Sequence, residues 1–286
     1  MAPNKEKILI IGQGWLGSRC AEEWPGSVIT GQWIETVADV ERLLKKYRPT
    51  AVLNAAGVVG RPNVDWCETN QLETIKGNTV LPLVIAEACQ KHKVYLLHIG
   101  TGCIFYGYSK NKKGWAEDDF ANPSAVYTKC KYAADLALST LPRLGIARIR
   151  MPLDDRPSRG NYVDKIASYP KLINMKNSLT VVPDMISVFR QLIAKKAEGI
   201  FHVTNPGFTT QREIIDLYEK SVDRNHKNIW IKETDLVGLG LAKKKRSNNI
   251  LQSKRLKLYR IKMRPARSAV RAALKKYSQA REITNK

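Results

Sequence analysis

The 286-residue sequence has no apolar run near the ~20 residues that a membrane-spanning helix needs, so no membrane partner is expected. It has no CxxC pair. Its five cysteines, Cys20, Cys67, Cys89, Cys103 and Cys130, are odd in number and widely spaced. That argues against a disulfide frame or a zinc site and for free thiols in a reducing compartment. The four histidines have no metal-ligand spacing, so no metal is expected. The start, "MAPNKEKILIIG", runs almost directly into a strand and leaves no room for a signal peptide, which points to a cytoplasmic protein. Internal repeats and low-complexity linkers are also missing. Acid is scarce at one end: residues 243–286 hold 16 Lys/Arg against Glu282 alone, or +15 of the net +22. A block of like charge is usually solvated surface, so nucleic acid is not expected as a partner, and the mildly basic remainder suits an anionic small ligand.

With 43% hydrophobic residues, the chain can form one large core or a core plus a smaller lobe. From the N-terminus strands and helices alternate. "KILIIG" is a short continuous apolar run, as in a buried parallel strand. "SRCAEEW", "VADVERLLKKY", "NTVLPLVIAEACQKH" and "SAVYTKCKYAADLALSTL" read as helices; "SVIT", "TAVLNAAG", "VYLLHIG" and "GIARIRMPL" read as strands. Repeated β-α-β units predict an α/β fold, a doubly wound parallel sheet of Rossmann type with a smaller C-terminal substrate lobe. Residues 1–152 form the expected nucleotide domain, joined by a strand at 199–206. Residues 153–198 and 207–286 form the expected lobe. There, "TQREIIDLYEKSV" is a helix capped by Thr209 or Thr210. "PARSAVRAALKKYSQ" is a terminal helix with Val270, Leu274 and Tyr277 on one face.

The chemistry is carried by a few stretches. "GQGWLG", Gly12-Gln13-Gly14-Trp15-Leu16-Gly17, follows the first strand and opens a helix. Gly12 permits the turn, Gly14 lets backbone approach a pyrophosphate, and Gly17 lets the helix pack closely, so the stretch reads as a dinucleotide loop. No acid follows the second strand until Glu35, and Arg19 lies just past the glycines. This favours the 2′-phosphate of NADP(H), with NAD(H) as the alternative. Tyr127 and Lys131, four apart in "YTKCK", share a helix face. The ammonium is expected to lower the tyrosine pKa toward working pH.

The order glycine loop, "NAAG" (Asn54, Ala55, Ala56, Gly57), strand-end Thr101 and Tyr127-x-x-x-Lys131 resembles the extended short-chain dehydrogenase/reductases. "NAAGVVGRPNVDWCE", "TGCIF", "RIRMPL", "NYVDKI", "TNPG" and "RSNN" resemble more closely the nucleotide-sugar 3,5-epimerase/4-reductases of UDP-rhamnose synthesis. The dTDP-4-dehydrorhamnose reductases are less similar. The glycine loop is one residue shorter than the usual GxxGxxG of that family, and the basic tail has no clear counterpart in it.

The resemblance implies that Thr101 bonds the substrate ketone oxygen, Tyr127 protonates it, and Lys131 holds the nicotinamide ribose. It further implies that residues 54–57 line the cofactor groove and that Cys103 and Lys165 are an epimerisation acid/base pair. By matching position alone, Asn63, Asn161 and Arg246 become candidate substrate contacts. The substrate implied is UDP-4-dehydro-6-deoxy-D-glucose and the product UDP-β-L-rhamnose. A separate 4,6-dehydratase would act upstream, and a homodimer is left open.

"TGCIF" differs from a simple reductase in having Cys103 two residues after the threonine. On an extended segment Thr101 and Cys103 would point to one side. One could then touch the ketone while a thiol exchanges protons at a neighbouring carbon acidified by it. The rival readings are a single-step 4-keto-sugar reductase and a non-catalytic protein on the same fold.

Overall fold

The structure, a computed structural model, describes residues 7–61 and 63–284. Residues 1–6, on which the expectation of a leaderless start rests, lie outside the described residues. The chain divides into two compact units.

The first unit comprises residues 1–104, 123–148 and 189–201. Its strands are β1 (Ile8–Ile11), β2 (Val28–Thr30), β3 (Ala51–Asn54), β4 (Tyr95–Thr101) and β5 (Leu144–Ile149). Its helices are α1 (Trp15–Glu23), α2 (Val37–Tyr47), α3 (Gln71–Ile75), α4 (Leu81–Lys91) and α5 (Val126–Leu138). In the second unit lie β6 (Pro152–Leu153), α6 (Tyr162–Ser168), β7 (Lys171–Ile173) and β8 (Thr180–Val181), and α7 (Val182–Ala194) begins there. β9 (Gly199–His202) returns to the first sheet, whose six strands run in the order β2-β1-β3-β4-β5-β9. The pairs β1–β2, β1–β3 and β3–β4 are parallel. The expected doubly wound parallel α/β sheet is therefore present.

Burial on both faces explains the continuous apolar strands. Leu9, Ile11, Val52, Leu96 and Ile146 pack with Val40, Leu43 and Leu44 of α2, Ile85 and Cys89 of α4, and Ala134 and Leu138 of α5. Ile8, Ile10, Leu53 and Leu97 alternate to the opposite face and are equally buried. Each such side chain contributes about 1.5–3 kcal/mol by leaving water. The chain leaves β1 toward β2 on one side and later places β3 on the other. Such a reversal opens a crevice at the carboxyl ends of β1 and β3, where doubly wound sheets bind ligands.

In the second unit α8 (Gln211–Ser221), β10 (Ile229–Ile231), α9 (Asp235–Gly238) and α10 (Ala266–Thr284) complete the element order. β6 pairs with β8 and β7 with β10, both parallel. Thr210 caps α8 in a reciprocal box with Glu213. The apolar face of α10, Val270, Leu274 and Tyr277, closes a core with Val163 and Ile166 of α6 and Ile214 and Ile215 of α8. The cations Arg271 and Lys275 remain exposed.

Two elements depart from expectation. The single helix read from Asn78 to His92 is interrupted by a π turn at Lys76–Val80. Pro82 has no N–H to give the Asn78 carbonyl, and the Asn78 side chain is engaged elsewhere. α7 was not anticipated, because Pro183 interrupts the run at its start, although Asp184, Ser187, Arg190 and Gln191 fall at helical spacing on one face. The proline falls in the first turn, where a missing N–H costs nothing.

Candidate active site

The glycine loop is built by close approach. Gly12 has φ +109°, and a Cβ there would lie 2.5 Å from the Ala56 nitrogen of the "NAAG" turn. A Cβ on Gly17 would fall 2.1 Å from the Gly12 carbonyl oxygen. Gly14 is the N-cap of α1, gives no side-chain cap, and has open space where its Cβ would be. The first-turn N–H groups thus face a site shaped for an anion. Gln13 is exposed, Trp15 and Leu16 are half-buried, and the Trp15 indole nitrogen is buried without a hydrogen bond. After β2 the first acid, Glu35, accepts from the Trp33 indole at 3.0 Å.

Arg19 corrects an expectation. It is buried, and its guanidinium donates to Glu22 at 3.1 Å and Glu23 at 3.4 Å on its own helix. Neutralised there, it is not a cation held out for a 2′-phosphate. Asn54 departs similarly. It is fully buried, its Oδ1 accepts from Ala56 N at 3.0 Å, and its amide meets His98 Nδ1 at 3.0 Å. It shapes the turn from beneath, while Ala55 and Ala56 are half-buried and Gly57 is exposed.

Thr101, Cys103, Tyr127 and Lys131 all belong to the first unit and converge where β4 meets α5. The Thr101 hydroxyl lies beside Tyr127, where it favours the phenolate, and accepts from Cys103 N at 3.1 Å. That second bond turns the chain into a 3-10 turn, Gly102–Ile104. The expected extended arrangement of Thr101 and Cys103 is therefore absent, yet Cys103 still lies close enough to Tyr127 to act on it electrostatically. Cys103 is half-exposed, whereas the other four cysteines are buried.

Lys131 donates to the Ile99 carbonyl at 3.1 Å, and its ammonium would lie 3.5 Å from a Cβ on Gly57. Burial lowers its pKa to about 8, against an opposing pull from Asp135. Tyr127 does not behave as expected. Burial, then the nearby Cys103 and Cys67, push its pKa up, and Thr101 only partly offsets this. It is held as a phenol, the form that donates a proton.

Residues missed at first position this site. Glu68 accepts from Val126 N at 2.8 Å and so substitutes for a cap on α5, which has none of its own. Asn78, fully buried in the π turn, donates to Val58 O at 2.7 Å and accepts from Val58 N at 3.3 Å. It locks the segment after "NAAG". Thr79 donates to Cys130 O at 2.9 Å on α5. A polar "GN" inside an otherwise helical run was the available signal.

The remaining candidates are scattered. Asn63 half-buries and spends its Oδ1 as a cap on Asp65 N at 2.8 Å. In the second unit Lys165 is solvent-accessible on α6, although the surrounding protein mass lowers its pKa. Asn161 is not a free contact. Its Oδ1 accepts from Asp154 N and Val163 N, and its amide donates to Asp154 O and Arg156 O. All four of its hydrogen-bonding positions are spent on capping α6 and folding the preceding loop. Arg246 is half-buried. Its neighbours turn inward: Ser247 and Asn249 donate to Phe105 O, and Arg150 donates to Ser247 and Asn177.

Known proteins share this organisation. A bifunctional dTDP-4-dehydrorhamnose 3,5-epimerase/reductase of Arabidopsis thaliana is 34% identical over 267 residues, 87% of this chain and 86% of that protein. A trifunctional UDP-glucose 4,6-dehydratase/UDP-4-keto-6-deoxy-D-glucose 3,5-epimerase/UDP-4-keto-L-rhamnose reductase of the same plant is 30% identical over 283 residues. Those are 95% of this chain but only 41% of that longer protein. A crystal structure of a UDP-rhamnose synthase from Acanthamoeba polyphaga mimivirus superposes with a TM-score of 0.86 at 29% identity, covering 94% of this chain and 99% of the other. The profile of the RmlD substrate binding domain matches residues 30–279. On this match over most of its length, the chain belongs to the RmlD substrate-binding domain family.

Proposed function

We propose that this protein is an NADPH-dependent nucleotide-sugar 3,5-epimerase/4-reductase that converts UDP-4-dehydro-6-deoxy-D-glucose to UDP-β-L-rhamnose. The observation that carries the reading is the cluster at the end of β4: a Thr101–Tyr127 hydroxyl pair, Lys131 one turn further along α5, and Cys103 half-exposed beside them. The glycine loop, open at Gly14, and Lys131 would hold the nucleotide, which supplies a hydride when bound. Preference for NADPH rests on the lack of an acid directly after β2, since Arg19 is engaged elsewhere.

In this reading Thr101 donates to the C4 ketone oxygen and polarises it. The C3 and C5 hydrogens become acidic, and Cys103 and Lys165 move protons on and off those carbons. Tyr127, kept as a phenol, then gives its proton to O4 as C4 accepts the hydride. Asn63 and Arg246 are proposed as contacts to the sugar nucleotide. The protein acts in the cytoplasm on material from a separate dehydratase.

The test is turnover of the UDP-4-keto-6-deoxy sugar with NADPH in heavy water, read by NMR. Wild type should place deuterium at C3 and C5 of a rhamnosyl product. Cys103→Ser and Lys165→Ala should each cut that incorporation by about 10²-fold. Reduction by wild type without any deuterium at C3 or C5 would leave a single-step reductase.

A further inference from the structure

Asp135 lies on α5 one turn beyond Lys131 and two beyond Tyr127, so the three side chains form a ladder along one face. Its carboxylate is 0% exposed, and Oδ2 accepts from Arg148 Nε of β5 at 2.8 Å. Arg148 is itself 2% exposed. Asp135 Oδ1 is buried without a hydrogen bond. The pair reaches the active end of β4: a Cβ on Gly100, the residue before Thr101, would lie 3.1 Å from Asp135 Oδ1 and 3.4 Å from Arg148 Cγ. Folding alone does not call for such a pair, because burying two charges costs several kcal/mol per ion and apolar residues of similar volume usually serve as well.

We propose that Asp135, held by Arg148, is a positioning residue for the reductase chemistry: its carboxylate is the buried counter-charge that keeps the Lys131 ammonium protonated beside Tyr127. This inference rests on the reductase reading of Tyr127 and Lys131.

The groups facing Lys131 support it. On its own helix are Tyr127 and Asp135. From β4 comes His98, which burial and the Lys131 charge hold well below the ordinary imidazole range and hence neutral. Backbone of Ile99 and Gly57 and the uncharged amide of Asn78 complete the surroundings. Burial pulls the ammonium toward its neutral form, and Asp135 is the carboxylate that opposes this. Arg148 reciprocates by opposing the upward pull of burial on Asp135.

The test is the pH dependence of kcat for reduction, from about pH 6 to about pH 9, in variants at both positions. In wild type, kcat should fall as pH rises through the Lys131 pKa of about 8. Asp135→Asn should move that limb acidward by about one unit, so that its deficit is about twofold near neutrality, grows toward about tenfold at about pH 9 and vanishes at lower pH. Asp135→Asn with Arg148→Met removes the unpaired arginine and should fold while keeping the acidward shift. Asp135→Glu retains the charge and should restore the wild-type limb. A folded double variant with the wild-type limb, lowered equally at every pH, would overturn the proposal. So would a double variant that cannot fold, since the pair would then serve folding itself. Failure of the underlying reading looks different: Tyr127→Phe would reduce substrate at the wild-type rate.

Discussion

At the ends of β4 and β5 the first unit buries Lys131, Asp135 and Arg148, three charges within two turns of one helix and its neighbouring strand. The second unit buries a cluster of amides, together with the carboxylates of Glu117 and Asp154. Asn161, Asn177, Asn205, Asn248 and Asn249 are all at or below 3% exposure, with Arg150 as the buried cation among them. Asn205 accepts from Val181 N at 2.7 Å and donates to Arg264 O, and Asn177 donates to Asn248 at 2.8 Å. The difference follows from architecture. A parallel sheet satisfies its own backbone, so its buried polar groups are free for proton and charge chemistry. The second unit has two-stranded ladders and long loops, and its buried backbone needs side-chain partners. Buried amides there satisfy backbone; the buried charges of the first unit are the groups proposed to tune reactivity.

The sharpest way to break this contrast is Tyr127→Phe. Reduction should fall by ~10²–10⁴-fold, while deuterium entry at C3 and C5 persists in part through Thr101. Single-turnover NADPH oxidation and NMR of the products measure the two halves separately. Asn161→Ala probes the other side. It should lower stability by roughly 1–3 kcal/mol, through lost capping and unpaired buried groups, seen as a reduced Tm. The KM for the sugar nucleotide should stay unchanged. A raised KM at unchanged Tm would return Asn161 to the substrate contacts.

A smaller effect is expected at Arg19. Arg19→Ala should leave the ratio of kcat/KM for NADPH and NADH within about twofold of wild type, because the guanidinium is already paired. A collapse of that ratio would show that the arginine leaves its helix partners to meet the phosphate. The smallest effect concerns the basic tail. α10 buries its apolar face, so DNA binding by the remaining cations should be weak and fall steeply with salt, as a fluorescence titration at two ionic strengths would show.

Much of this organisation is written locally. The glycines at 12, 14 and 17, the apolar runs of β1, β3 and β4, the Tyr127–Lys131 spacing and the cap at Thr210 depend on neighbours within a few residues. Sequence periodicity and backbone sterics are enough to recognise them. Long-range pairing was not legible. That Asn54 meets His98, that Glu68 caps α5 at Val126 and that Asp135 pairs with Arg148 became visible only in three dimensions, as did the choice of partner by Arg19, Asn161 and Thr101 among their near neighbours.

The direction of the Tyr127 shift shows the reason most plainly. Spacing alone set a tyrosine above an ammonium and predicted a lowered pKa. The fold decided how much water the tyrosine would lose, and that loss, with Cys103 and Cys67 beside it, raises its pKa instead. Sequence by itself determined which residues stand on one strand or one helix face. Tertiary structure decided their burial and their partners, because solvation and pairing depend on chain brought in from 44 residues away, as His98 is to Asn54.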